Sequence, residues 1–187
     1  MLDPFPLSAP TFLQKAAQPL SSYFSLTTLP LHAHEILLAA LFYHITGTYV
    51  SPYISSRLFP RAYPSFNRRT KINWDVHVVS LVQSLVINAL ALWVIWHDEE
   101  RSNMNWRGRV WGYTGAGALV QALACGYFLW DLIISAIHVD IFGAGLLAHA
   151  VSALAVFSLG FVSVLPSFVT GVSIFNSCRP SISAVVW

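Results

Sequence analysis

The chain has 187 residues, of which 56% are hydrophobic and only 10% charged, with a formal net charge of +2. A soluble domain carries about 25% charged residues, so this composition excludes an ordinary water-soluble fold and describes a multi-pass membrane protein. The small net charge, with its basic residues gathered in loops, also excludes a nucleic-acid-binding stripe.

Residues 1–30 contain Pro4, Pro6, Pro10, Pro19 and Pro30. Proline at this density interrupts long helices, so a mostly irregular leader is expected, with a short interfacial helix around Thr11–Gln18. An acid and three prolines stand where a secretory signal has its basic and apolar regions, so none is read here.

The first membrane span is expected over residues 31–53. Its apolar heart, Ile36–Val50, is interrupted by His44, Thr46 and Gly47. His32, His34 and Glu35 fall at its start, where a membrane interface tolerates them. The loop 54–73 follows, with Arg57, Arg61, Arg68, Arg69 and Lys71 and no acid. Positive loops stay cytoplasmic, so this loop sets the orientation. The second span covers 74–96 and has an interfacial tryptophan at each end, Trp74 and Trp96. Residues 97–109 form a mixed-charge loop on the opposite side.

The third span, 112–137, carries Asp131 well inside its apolar run. An acid at that depth costs at least ~2.5 kcal/mol on the more lenient insertion scales. Cys125, in the same span, reads as a small packing residue, and with Cys178 it makes no disulfide framework. After His138 only Val139 and Asp140 precede the fourth span, 141–161, so the two helices form an antiparallel hairpin. Asp140 reads as the N-cap of the fourth helix. The alternation puts the N-terminus on the lumenal or external side. Residues 162–187 form a divergent tail, weakly apolar and broken by Pro166 and Pro180, with at most a weak fifth span. The fold class is all-α: a transmembrane helical bundle of about four to five spans.

Three spans carry polar residues at helical spacing. They are Asn73, His77, Ser80, Ser84 and Asn88 in the second; Gln121, Asp131, Ser135 and His138 in the third; and Gly145, His149 and Ser152 in the fourth. Lipid cannot satisfy such groups, so they are expected to face one another or a wet cavity. Asp131 lies ~10 Å and His149 ~13 Å from the cytosolic ends of their helices, and His77 about one turn in. These depths permit convergence of His77, Asp131 and His149, with Ser80 and Ser135 beside them. Gly115, Gly117, Gly143 and Gly145 read as small residues that permit close helix approach. His32, His34 and His44 lack a completing carboxylate or cysteine, so no metal site is expected, and no motif implies a cofactor.

The ordered set Asn73-Trp74, His77-Val78-Val79-Ser80, Gly126-Tyr127-Phe128-Leu129-Trp130-Asp131 and His149 resembles the TLC domain. Ceramide synthases, translocating-chain-associating membrane proteins and smaller TLC-domain proteins share that domain. The resemblance covers about residues 31–161 and looks closest to the small, non-ceramide-synthase branch. It implies a bundle around a lipid-accessible cavity, usually in the endoplasmic reticulum. In ceramide synthases a His pair and acids carry acyl transfer from acyl-CoA. Here His149 matches one member of the pair, Asp131 the acid of the Gly-Tyr-Phe segment, and His77 the His of the first TLC helix.

Ala148 and Ala150 flank His149, so the pair is missing, and no acidic pair follows in the tail. The family normally continues through roughly two more helices, which this tail does not resemble. It reads either as a truncated or alternatively ended product or as a divergent C-terminus. The function read from these features is non-catalytic lipid binding, sensing or transfer in membrane lipid homeostasis, with a membrane lipid as partner. The alternatives are a ceramide-synthase-like N-acyltransferase and a structural or chaperone-like membrane protein.

Overall fold

In the computed structural model, which describes residues 3–162, every regular element among the described residues is helical. The helices are α1 Thr11–Phe24, α2 Leu29–Ile45, α3 Ser51–Leu58, α4 Arg68–His97, α5 Glu99–Asn103, α6 Trp106–Trp111, α7 Gly115–Ile137 and α8 Val139–Ser158. A π-helical turn, Thr46–Val50, joins α2 to α3, and a 3-10 turn, Leu159–Phe161, closes α8. The all-helical membrane class read from the sequence is the class observed.

Three stretches are long and apolar enough to cross a membrane: Arg68–His97, Gly115–Ile137 and Val139–Phe161. They overlie the second, third and fourth expected spans. The first expected span lies inside the run Leu29–Leu58. That run and α1 meet at a bend of 114°, and together they bring the number of spans to four if the pair counts as one. The expected weak fifth span lies outside the described residues.

Local sequence sets the helix ends. The Asn67 side chain accepts from the Thr70 amide at 2.9 Å and opens α4, and Thr114 caps α7 through the Gly117 amide at 3.2 Å. The leader is more ordered than its prolines suggest, because α1 runs through Pro19 to Phe24. Leu13, Ala16, Ala17 and Leu20 share an apolar cleft with Leu29, Ala33, Ile36 and Leu37 of α2. That tertiary packing offsets the loss of one backbone hydrogen bond at Pro19.

The α7–α8 turn also departs from expectation. His138, not Asp140, is the residue that caps α8, and its side chain makes no capping bond. One helical turn follows, and then Gly143 breaks the helix with φ 78° and ψ 166°.

α7 lies at the centre, packed on α2 and α8 and more sparsely on α4. Gly126 sets the α2–α7 distance: a Cβ there would stand 2.5 Å from the Ala39 Cβ and 2.6 Å from the Ile36 carbonyl oxygen. Ala122 and Cys125 pack with Leu26, Leu29, Ile36 and Phe161, and Trp130 packs with Ala39, Tyr43 and Val79. At one end of the bundle Arg69 donates to the Ile141 carbonyl at 3.0 Å, so the basic loop sits beside the α7–α8 turn. At the other end the Thr28 hydroxyl donates to the Phe161 carbonyl at 3.1 Å, joining the start of α2 to the end of α8.

Candidate functional site

Asp131 and Ser135 lie one turn apart on α7, and both are buried, at 5% and 1% exposure. Among the described residues the Ser135 Oγ and the Trp130 Nε1 have no hydrogen-bond partner. Among the described residues nothing donates a hydrogen bond to the Asp131 carboxylate. An unpaired buried polar group costs about 1–3 kcal/mol, so Ser135, buried beside Asp131, marks a place that a polar group of a ligand would stabilise. His149 on α8 is exposed. No hydrogen bond or ion pair joins it to Asp131 among the described residues.

The other two expected site residues behave differently. Ser80 on α4 meets Tyr127 on α7 at 2.8 Å. Because Ser80 donates its own proton to the Val76 carbonyl at 2.9 Å, Tyr127 is the donor of that bond. His77 is exposed, and its Nδ1 bonds the Asn73 carbonyl of its own helix at 2.7 Å. It makes no hydrogen bond to Asp131 or His149.

The stripe on α4 corrects the expectation that all these polar residues need partners on other helices. Ser84 donates to the Ser80 carbonyl at 2.8 Å and Asn88 to the Ser84 carbonyl at 2.7 Å, and both side chains are exposed. Short polar side chains satisfy themselves on the preceding turn of their own helix. Ser152 on α8 does the same with Ala148.

Two cavities flank α7. One, of about 350 Å³, is lined by Leu20, Phe24, Leu132, Val151, Leu154 and Leu159 and is almost wholly apolar. It lies between α1, α7 and α8, and its volume is within the range of small-molecule sites, ~300–1,000 Å³. The other, of about 230 Å³, is lined by Gly47, Thr48, Asp75, Trp130, Ile134 and His138 beside the π-helical turn.

Asp75 was not read from the sequence as a site residue, yet it is the hub of a polar knot. It accepts from the Ser51 hydroxyl at 2.6 Å and from the Tyr63 hydroxyl at 2.9 Å. Burial, followed by the bond to Asp75, pushes the Tyr63 phenol up to about 12. The available signal was an acid next to Trp74 at a span entrance, but it lay off the helical stripe.

A second cluster was missed at the opposite end. His32 and Glu35 are buried, at 2% and 0% exposure, with His32 Nδ1 2.9 Å from Glu35 Oε1. His32 Nε2 bonds the Tyr113 hydroxyl at 2.8 Å, and Asp3 Oδ2 stands 3.5 Å from His32 Nδ1. The expectation that no carboxylate stands beside these histidines is therefore corrected. The spacing of His32 and Glu35, three apart on a helix, was the readable signal. Asp3 reaches the cluster only through the fold.

The TLC domain pattern matches residues 73–178, more than half of the chain. The chain belongs to the TLC-domain family. The match begins at the Asn73-Trp74 motif and runs into the tail beyond Phe161, further than the resemblance read from the motifs.

The TLC-domain chain is 38% identical, over 81% of its length, to an uncharacterized TLC domain-containing protein of Schizosaccharomyces pombe, of which it covers 50%. It is 25% identical over 81% of its length to topoisomerase I damage affected protein 4 of Saccharomyces cerevisiae, covering 53% of that protein. It is 29% identical over 64% of its length to TLC domain-containing protein 4-B of Danio rerio, covering 44%. The chain thus spans about half the length of the curated relatives it matches. No solved structure matches it.

Proposed function

We propose that this TLC-domain membrane protein binds a membrane lipid without transforming it, in sensing or transfer that supports lipid homeostasis. The endoplasmic reticulum is the membrane that the family resemblance implies. One observation carries the reading: Asp131 and Ser135 are buried one turn apart on α7, and the Ser135 hydroxyl has no hydrogen-bond partner among the described residues. Leu132, the next residue, lines the apolar cavity of about 350 Å³. The cavity takes part of an acyl chain. Ser135 donates to a lipid carbonyl, and Asp131 accepts from an amide or hydroxyl of the same molecule. His149 adds a hydrogen-bonding ring nitrogen from the exposed side. A non-catalytic role fits a single His149 that no carboxylate orients by a hydrogen bond.

The test is lipid recovered with protein purified in mild detergent, measured by mass spectrometry. Asp131→Leu and His149→Leu are each expected to lower the bound lipid several-fold. Because Asp131→Leu removes a buried acid, thermal stability is expected to hold or rise while lipid is lost. Unchanged lipid in both variants would sink the reading. A change in stability alone would assign the polar turn to packing.

A further inference from the structure

We propose that Asp3, His32 and Glu35 form a divalent transition-metal site of the zinc type, which fastens the N-terminal segment to the bundle. Nothing in the lipid-binding reading requires it, since it lies at the opposite end of the bundle from the basic loop. One ligand atom from each residue lies within 4.8 Å of the other two. The individual separations are 2.9 Å for His32 Nδ1 to Glu35 Oε1 and 3.5 Å for His32 Nδ1 to Asp3 Oδ2. Ligands about 2.05 Å from a tetrahedral Zn²⁺ stand about 3.3 Å apart, between those two values.

The surroundings point the same way. Tyr113 holds the far nitrogen of His32, the usual device for orienting a ligating imidazole. With that nitrogen carrying the proton, the lone pair of Nδ1 faces two carboxylate oxygens. Three donors around one point call for a cation among them. Among the described residues no Lys or Arg pairs with Asp3 or Glu35. Among the same residues the second oxygen of Glu35, which is fully buried, has no hydrogen-bond partner, and neither has the buried Nδ1 of His34. His34 Nε2 is 3.8 Å from Glu35 Oε1 and bonds the Leu7 carbonyl at 2.9 Å, so it flanks the site and steadies the same segment. One imidazole and two carboxylates suit Zn²⁺ better than Ca²⁺ or Mg²⁺, which favour oxygen donors alone. The fourth position opens on the side of Asp3, the partly exposed ligand.

The experiment uses the full chain in detergent, stripped of metal and titrated with Zn²⁺, with bound metal read by mass spectrometry. The wild type is expected to bind about one Zn²⁺ per chain and to gain thermal stability and protection of residues 3–10 from protease. Asp3→Asn leaves the buried His32–Glu35 pair intact, so it tests the site without threatening the fold. It is expected to weaken Zn²⁺ binding at least ~10-fold, and His32→Gln to abolish it. If the wild type takes up no Zn²⁺, or if Asp3→Asn binds it as the wild type does, the proposal fails and the cluster is an ion pair only.

Discussion

Gly126 and Gly143 both lie in the α7–α8 hairpin, but they act through different physics. Gly126 has no room for a Cβ against Ala39 and the α2 backbone, whereas Gly143 has open space around it and a φ of 78° that other residues avoid. Gly126→Val is therefore expected to cost about 1–3 kcal/mol by overpacking, read as a lower melting temperature in detergent. Gly143→Ala is expected to cost about 1–3 kcal/mol as backbone strain. Gly145→Ala, with nothing within 4 Å, should be neutral or slightly stabilising, and a loss there would overturn this distinction.

Tyr63 gives a pH prediction. Its folded pKa of about 12 exceeds the unfolded value of 10, so the neutral phenol is favoured in the fold. That contribution is fully present below pH 10 and is lost as pH rises through 12. Against a Tyr63→Phe background, the alkaline difference spectrum should move to lower pH in Asp75→Asn. An unmoved titration would remove Asp75 as a cause.

Among the helices, burial divides α7 from its neighbours. The most apolar window of α7 is 39% buried in the bundle, against 11% for α4 and 6% for α8, so α7 is the element the others are arranged on. This division decides which polar residues matter. Ser84 and Asn88 on α4 bond their own helix and face outward. Replacing either by Ala should change stability by no more than about 0.5 kcal/mol. Ser80→Ala or Tyr127→Phe breaks the bond between α4 and α7 and should cost about 0.6 kcal/mol, the average for such pairs in membranes. Double-mutant cycles read by chemical denaturation in detergent micelles should give a coupling of about 0.6 kcal/mol for Ser80→Ala with Tyr127→Phe and none for Ser84→Ala with Asn88→Ala. No coupling between Ser80 and Tyr127 would overturn the distinction.

For the whole molecule, the contacts define two ends. The basic loop and the α7–α8 turn share one, and the start of α2, Tyr113 and Phe161 share the other. On the positive-inside rule, five basic residues and no acid in 54–73 predict that the first end faces the cytosol. Single cysteines introduced at Ser65 and at Asn103 should react with a membrane-impermeant label from opposite sides of sealed vesicles. Labelling from the same side would exclude the single crossing by α4 between them.

The sequence by itself determined the membrane class, the placement of the strongest spans and the family, and it singled out Asp131. Those properties are local: a helix partitions into lipid on its own hydropathy, and motif order needs no geometry. Only the tertiary structure decided which face of each span turns inward. That azimuth follows from the close approach of Gly126 to Ala39, which no periodicity encodes. Hence Asp131 and Ser135 are buried, while His77 and most of the α4 stripe face outward. The tertiary structure also made neighbours of Asp3, His32 and Tyr113, and of Asp75 and Ser51. Such meetings depend on how three helix axes cross, a property of the whole chain and of no single stretch within it.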